Sequence, residues 1–599
     1  MKFTLNDGTQ KEWKVEKIGV IGPGIVGMPM AALLANSRIK IGTNQPAKVC
    51  VVQRNSKNSG WKVKAINDGK SVIGGIEPGL NEIVERNVKD GILSASWDFN
   101  SLSDADVILV AIQTDKYGLG PDYGPLFSGL TSLAEALQKK PVEKIPLIIF
   151  ESTLAPSSMA TLIKDHFARF NLIEGKNILL GNSPNRVMPG RLVERVTQSD
   201  KLAAGLHPDT PKLIQHLYKH IVTEGTVYAT NSLTAEVVKT LENAYRDVRI
   251  AFSSEIVRYC DENDIDFYWL RDEVNDKLKQ IDDASTNPNS VPSGGILIPT
   301  VGVGGHCLPK DGILLWWRKI ESGADTRNSL ILESRNINDE SPAETIKLFE
   351  RKFEKIDNKN ITILGAAYRF NSEDTRNSPS LQLALQLQKR GCSVVLHDPY
   401  VKPHDQNLQK YKLENIFTNN IEKAVRDADY IIVATAHKMY LEELQNILSL
   451  TGKLKGILDA CNIYKEEYFR DSKIKYAGIG RGSEIPNQGF VEFVCDSFSV
   501  VETGLANEVY SICEFLNSNY ADGDFNKIKF NKVQELAASC STGCAIANTG
   551  AIKSVPTYKG FYSRLAKKSF DVNKKPLYNL EKKEELLSSS PIEASRDVA

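Results

Sequence analysis

The 599 residues predict an α/β protein: two doubly wound domains joined by a long central helix, followed by a C-terminal extension. Three observations carry this. Short apolar runs alternate with amphipathic stretches in two separate series, the pattern of βαβ units that close a parallel sheet. Between the series, Ser232–Asn263 contains neither Gly nor Pro and keeps a helical apolar spacing. The length, at about 100–200 residues per domain, leaves room for several cores. The expected domains are 1–228, 229–340, 341–482 and 483–599.

In the first series, Ile18–Ile21, Val49–Val52, Val107–Ile112 and Pro146–Phe150 read as buried strands. Gly22-Pro-Gly24-Ile25-Val26-Gly27 follows the first of them directly and opens an Ala- and Met-rich helix. Glycines in that place let a pyrophosphate approach the backbone at a helix N-terminus, so these residues are read as the turn of a nucleotide-binding Rossmann-like domain. The second strand runs into Gln53-Arg54, where a carboxylate usually accepts from the ribose 2′-hydroxyl. Gln53 can still bond that hydroxyl and Arg54 can pair with a 2′-phosphate, so NAD is expected with NADP left open. Thr114, and Glu151-Ser152-Thr153, follow the next two strands at the carboxyl edge, where hydroxyls orient a cofactor, a substrate or a water, or simply cap helices.

In the central helix, Leu233, Val237, Leu241, Ala244, Val248, Phe252 and Ile256 form the apolar set. Lys239, Asn243 and Arg246 share one stripe facing away from much of it. An ammonium, an amide and a guanidinium so aligned can bind an oxyanion; a solvated face is the equally simple reading. Gly302-Val-Gly304-Gly-His306-Cys307-Leu-Pro-Lys310-Asp311 presents one thiol beside His, Lys and Asp, the setting in which cations favour a nucleophilic thiolate. In the second series, Ile361–Leu364, Val394–Leu396, Tyr430–Ala434 and Gly456–Asp459 read as strands. His437, just after one of them, reads more simply as a satisfied histidine than as a ligand contact. Beyond Gly482 the chain carries eight acidic and no basic residues over Ser483–Phe525, then a predominantly basic stretch over Asn526–Lys583. Its periodicity names no fold, a solvated surface is the expected role of its basic half, and the last 15 or so residues read as a disordered tail.

Composition narrows the function. Lys+Arg and Asp+Glu both number 74, so no nucleic-acid partner is expected. No apolar run approaches the 18 or so residues of a membrane span, and Met1–Trp13 lacks a basic region followed by an apolar run, so a reduced, cytoplasmic setting is the default. Cys540-Ser-Thr-Gly-Cys544 has neither a second pair nor a nearby His, and no metal site is expected. Cys50, Cys260, Cys392, Cys461, Cys495 and Cys513 read as core residues.

Taken in order, these pieces resemble the nucleotide-sugar 6-dehydrogenases from about Lys17 to Gly482. The marks are the GPGIVG turn, Glu77-Pro-Gly-Leu80, Gln113-Thr114, Glu151-Ser-Thr153, Ser183-Pro-Asn-Arg-Val-Met-Pro-Gly190, the helix over Ala235–Arg249, GVGGHCLPKD, Gly365-Ala-Ala-Tyr-Arg369, Asp374-Thr-Arg-Asn-Ser-Pro379, His397-Asp-Pro399 and Ile479-Gly-Arg481. His306 and the SPNRVMPG stretch look more like the UDP-N-acetylhexosamine branch than the UDP-glucose branch. The resemblance implies a four-electron oxidation of a sugar C6 alcohol to the carboxylate, with two nicotinamide cofactors used in succession. Cys307 would form a thiohemiacetal and then a thioester. Lys239, with Asn243 beside it, would stabilise the oxyanion, and Asp311 and Thr153 would position a water or a proton carrier. Lys239, Asn243, Arg246, Gly304, His306 and Arg369 would bind the substrate, the second doubly wound domain holding its UDP. A homodimer built on the central helix is implied in the same way.

Three departures stand out. Asn185 replaces a Glu that assists catalysis in the family, so that either Asn suffices, a neighbour such as Glu194 substitutes, or hydrolysis is slow. Gln53 replaces the cofactor carboxylate. Val291–Thr300 lacks the pattern expected of an arginine that reaches a neighbouring subunit. The competing readings are a UDP-glucose 6-dehydrogenase, a two-electron 3-hydroxyacid dehydrogenase, and a non-catalytic paralogue that binds nucleotide sugar.

Overall fold

The computed structural model describes every residue except 58, 75–76, 188, 280–294, 541–543 and 574–599. The expected tail and part of the segment before the cysteine loop fall outside these residues. The strands of the first series form at Lys17–Ile21, Lys48–Val52, Val107–Val110 and Leu147–Phe150. They pair in parallel, with Lys17–Ile21 between Lys48–Val52 and Val107–Val110. Their side chains are buried on both faces, which is why they read as continuous apolar runs. Four further strands complete an eight-stranded sheet, among them Leu93–Ser96 and Val227–Asn231 at its edges.

Beyond the four expected strands, all parallel, one pair is reversed: Leu179–Asn182 and Lys201–Gly205 run antiparallel, Asn182 pairing Ala204. That reversal brings Lys201, at the start of its strand, up beside the ends of Leu147–Phe150 and Leu179–Asn182, where its ammonium meets Glu151 and Ser183.

The central helix runs Ser232–Glu262, opened by Asn231, whose side chain accepts from the Thr234 amide at 2.7 Å. Of its 31 residues, 25 are buried within the single chain. The helices Leu308–Glu321 and Leu330–Lys352 pack against it. The second domain is a six-stranded sheet, all parallel, with Asn360–Leu364 between Ser393–His397 and Tyr430–Val433. His437 is satisfied, as its simpler reading had it: Nδ1 accepts from the Asn371 amide and Nε2 donates to Asp398.

The extension folds despite its weak periodicity. Helix Gln488–Asn517 and the shorter Phe530–Cys540 and Arg564–Asn573 join the same apolar core as the central helix. Its polar seams are specific. Glu508 is buried and accepts from Ser329 Oγ at 2.6 Å and the Leu330 amide at 2.8 Å, capping the helix that begins there. Arg249 pairs with Glu502, and Glu255 accepts from Ser563 Oγ and the Arg564 amide. Glu502 and Glu508 of helix Gln488–Asn517 meet these partners, so part of the acidic run serves this seam rather than solvent. The central helix is therefore covered in cis.

Candidate active site

The dinucleotide turn has the geometry its glycines require. Gly22 sits at φ +89° with a Cβ position 2.8 Å from the Ala111 carbonyl oxygen, and a Cβ on Gly27 would fall on the Gly22 carbonyl. Gly24, by contrast, has nothing within 4 Å of that position and faces open space. This is a tight strand–helix turn with its middle glycine left clear, and it fits a pyrophosphate approaching the start of helix Gly27–Asn36. Gly24, Ile25 and Val26 line a cavity of about 840 Å³. Gln53 lies away from it, donating to Ser59 Oγ at 2.9 Å, and Arg54 is exposed.

The cysteine loop is clamped between the two doubly wound domains. His306 Nε2 donates to the Thr114 carbonyl at 2.8 Å, while Thr114 Oγ1 donates to the Thr153 carbonyl at 2.7 Å. On the other side the Gly305 amide donates to the Arg376 carbonyl at 2.8 Å and Asn377 Nδ2 to the Gly305 carbonyl. Tyr368 lies so close over Gly304 that a Cβ there would meet it at 2.4 Å. Burial lowers the pKa of His306, which leaves it a neutral hydrogen-bonding bolt. The resemblance assigns His306 to the substrate; its ring lines the cavity, but its Nε2 is committed to holding the loop.

Cys307 stands at the N-terminal end of helix Leu308–Glu321 and opens onto the cavity, with Lys310, Arg246 and Arg376 in electrostatic reach. The stripe on the central helix is not a solvated face. Lys239 is 7 % exposed and lines the cavity, and among the described residues its ammonium has no hydrogen-bond or ion-pair partner. Asn243 and Arg246 line the same wall. The stripe faces away from the apolar core, as its spacing predicts, but the cysteine loop and the flanking domains roof it over.

Asp311 differs from its expected place. It is fully buried, with Oδ1 accepting from Lys310 Nζ and Oδ2 from Asn243 Nδ2, each at 2.6 Å, and it does not border the cavity. It orients the two neighbours instead of touching a substrate. Burial works against the Lys310 ammonium, but Asp311 and Cys307 hold its pKa above the ordinary lysine value.

Asn185 borders the cavity in a network the sequence does not announce. Glu151, with no side-chain exposure, accepts from Lys201 Nζ at 2.9 Å, from the Tyr218 hydroxyl and from Asn185 Nδ2. Lys201 donates in turn to Asn185 Oδ1 at 3.0 Å. The neutral amide thus bridges a buried acid and a buried base. Burial pushes Glu151 up and Lys201 down, while the charge of each works against the shift of the other. Glu194 does not stand in for the missing carboxylate: it pairs with Arg191 and borders no part of the cavity. Arg186, next along, forks onto Glu242 of the central helix. Arg369 lines the cavity from the second domain. Ser539 and Cys540, from the extension, also line it, and nothing in the sequence pointed to them.

Three domain descriptions match this chain in order: "UDP-glucose/GDP-mannose dehydrogenase family, NAD binding domain" over residues 16–222, the central domain of that family over 233–340, and its UDP binding domain over 362–466. A Pyrococcus horikoshii protein named UDP-N-acetyl-D-mannosamine dehydrogenase is 30 % identical over 475 residues, covering 78 % of this chain and 99 % of that one. A Ralstonia nicotianae protein named NDP-N-acetyl-D-galactosaminuronic acid dehydrogenase is 27 % identical over 71 % of this chain and 91 % of its own. Among solved structures, the Methanosarcina mazei NDP-N-acetyl-D-galactosaminuronic acid dehydrogenase superposes with a TM-score of 0.63 at 30 % identity, covering 78 % of this chain and 96 % of that one.

Proposed function

The chain belongs to the UDP-glucose/GDP-mannose dehydrogenase family of NAD-dependent nucleotide-sugar dehydrogenases, and from that premise we propose that it oxidises the C6 alcohol of a UDP-N-acetylhexosamine to the uronic acid. The observation that carries this is the meeting, on one cavity, of the Gly24 turn, the Cys307 thiol and the unpartnered Lys239 ammonium. The acetamido sugar is favoured over glucose by the relatives at 27–30 % identity, whose names carry acetamido sugars.

Bound at the Gly22–Gly27 turn, NAD supplies a hydride acceptor, and two are used for each sugar. The chain's residues do the rest. Lys239 holds the C6 oxygen as that oxygen gives its proton to solvent water and C6 gives up its first hydride, leaving the aldehyde, and Asn243, fixed by Asp311, donates beside it. The Cys307 sulfur adds to the aldehyde carbon, giving a thiohemiacetal whose oxygen stays on Lys239. Removal of a second hydride leaves a thioester, and water cleaves it to the carboxylate and the free thiol. Thr153 borders the cavity where that water would enter. Arg246 and Arg369 supply charge for the diphosphate and sugar oxygens. With all nine cysteines unpaired, the chemistry suits the cytoplasm. The homodimer implied by resemblance remains part of this reading, but its interface would lie outside the covered stripe of the central helix.

The test is cofactor reduced per nucleotide sugar consumed, with UDP-N-acetylmannosamine, UDP-N-acetylglucosamine and UDP-glucose, each offered NAD and NADP. Two reduced cofactors per acetamido sugar is the expected result. No reduction with any pairing would leave a non-catalytic binding protein.

A further inference from the structure

We propose that the extension is an active-site element: helix Phe530–Cys540 forms one wall of the cavity around the nucleotide sugar, through Ser539 and Cys540, and sets which sugars fit. The inference rests on the nucleotide-sugar reading above and adds to it a specificity-determining segment outside the three matched domains, the last of which ends at residue 466.

The placement follows from particular contacts. The helix packs along the central helix, burying Val533, Leu536, Ala537 and Cys540 and turning Ser539 toward the cavity, where Ser539 and Cys540 complete the lining. The neighbours of Cys540 there are Arg186 and Glu242. Cys544 lies within electrostatic reach of Arg246, which in turn reaches Cys307. The wall therefore stands on the reacting-centre side, with Gly24, Ile25 and Val26 contributed by a different domain.

Two anchors fix it in register. Asn231, the residue that caps the central helix, donates through Nδ2 to the carbonyls of Phe525 at 2.8 Å and Lys527 at 3.2 Å. Tyr245, two residues past Asn243 on that helix, donates to the Ala545 carbonyl. Both ends of the wall are thus tied to the helix that carries Lys239. Arg186 Nη1, buried beside it, has no hydrogen-bond partner among the described residues. That leaves a guanidinium N–H near this wall available to a substrate oxygen.

Ser539 is exposed on the cavity side and its neighbour Ala538 is exposed without lining the cavity, which gives a matched pair. Ser539→Tyr is expected to raise KM for the UDP-N-acetylhexosamine at least tenfold while KM for NAD stays within twofold. Ala538→Tyr, carrying the same bulk on the same helix, is expected to leave both unchanged. Circular dichroism and thermal melting of both variants report whether the helix is kept. The inference is overturned if Ser539→Tyr leaves the sugar KM unchanged, if it moves KM for NAD instead, or if Ala538→Tyr has the same effect; in each case the wild-type activity, and with it the proposed function, still stands. A wild-type protein that oxidises no nucleotide sugar would overturn both.

Discussion

Replacing Lys201 with Met removes the base from a buried pair and leaves Glu151 with only the Tyr218 hydroxyl and Asn185 Nδ2 as donors. Glu151 has no side-chain exposure, and the folded variant escapes an unpaired charge by protonating it. The cost is bounded by the price of that proton. Against an ordinary glutamate value of 4.5, protonation at pH 7 costs about 3 kcal/mol and at pH 5 less than about 1 kcal/mol, from about 1.4 kcal/mol for each pH unit. Burial already pushes Glu151 upward and Lys201 is the main influence against it; removing Lys201 raises it further. A carboxyl with a raised folded pKa stabilises the fold fully below 4.5 and loses that contribution as pH climbs through the folded value. Lys201→Met should therefore be nearly as stable as the wild type at pH 5, apart from about 1 kcal/mol for each lost bond to Ser183 and Asn185, and weaker by a further 2–3 kcal/mol, roughly, at pH 7. Urea unfolding at pH 5, 6 and 7, read through exchange protection of the Leu147–Phe150 and Leu179–Asn182 amides, isolates the first domain. A loss that does not change with pH, or a Glu151→Gln/Lys201→Met double variant that keeps the slope, would refute the reasoning.

Cys307→Ser should lower uronic acid formation at least about a thousandfold, the scale of losing a nucleophile, with binding of the nucleotide sugar by calorimetry retained; acid production near the wild-type rate would remove Cys307 from the chemistry. Asn185→Glu, which restores the residue usual in the family, should lower turnover about tenfold instead of raising it, because the new carboxylate replaces the amide that donates to Glu151 and sets two acids against each other; steady-state kcat decides, and a faster variant contradicts this network. Glu255, raised by burial to about 7 against the donors Leu565, Ser563 and Arg564, should hold the extension most firmly below pH 4.5 and progressively less as pH rises through 7, a change of about 3 kcal/mol. Amide exchange over Arg564–Asn573 should accelerate between pH 5 and pH 8, after correction for the intrinsic rate, and Glu255→Gln should flatten that dependence.

Much of the molecule is written in local patterns. The strands at Lys17–Ile21 and Gly456–Asp459, the central helix and the Gly22–Gly27 turn follow from apolar period, breakers and glycine spacing, all of which act within a few residues. The identities of Cys307, Lys239, Asn243 and Arg246 as reactive or charge-bearing groups are likewise legible from residue type and spacing. What they face is not. Lys239 and Arg246 could have pointed to water; only the docking of the cysteine loop, through His306 on Thr114 and Gly305 on Arg376, makes their stripe a cavity wall. The same holds for Asp311, whose two partners come from its own helix and from the central helix. Glu151, Lys201 and Asn185 are separated by tens of residues and meet because one strand pair runs antiparallel, and no period in the sequence encodes a contact between strands. The extension is the extreme case. Its acids Glu502 and Glu508 stand out in the sequence only as part of an acidic stretch, yet they pack against Arg249, Ser329 and the Leu330 amide. A side chain's partners across hundreds of residues are a property of packing, whereas its chemistry and local conformation belong to the sequence.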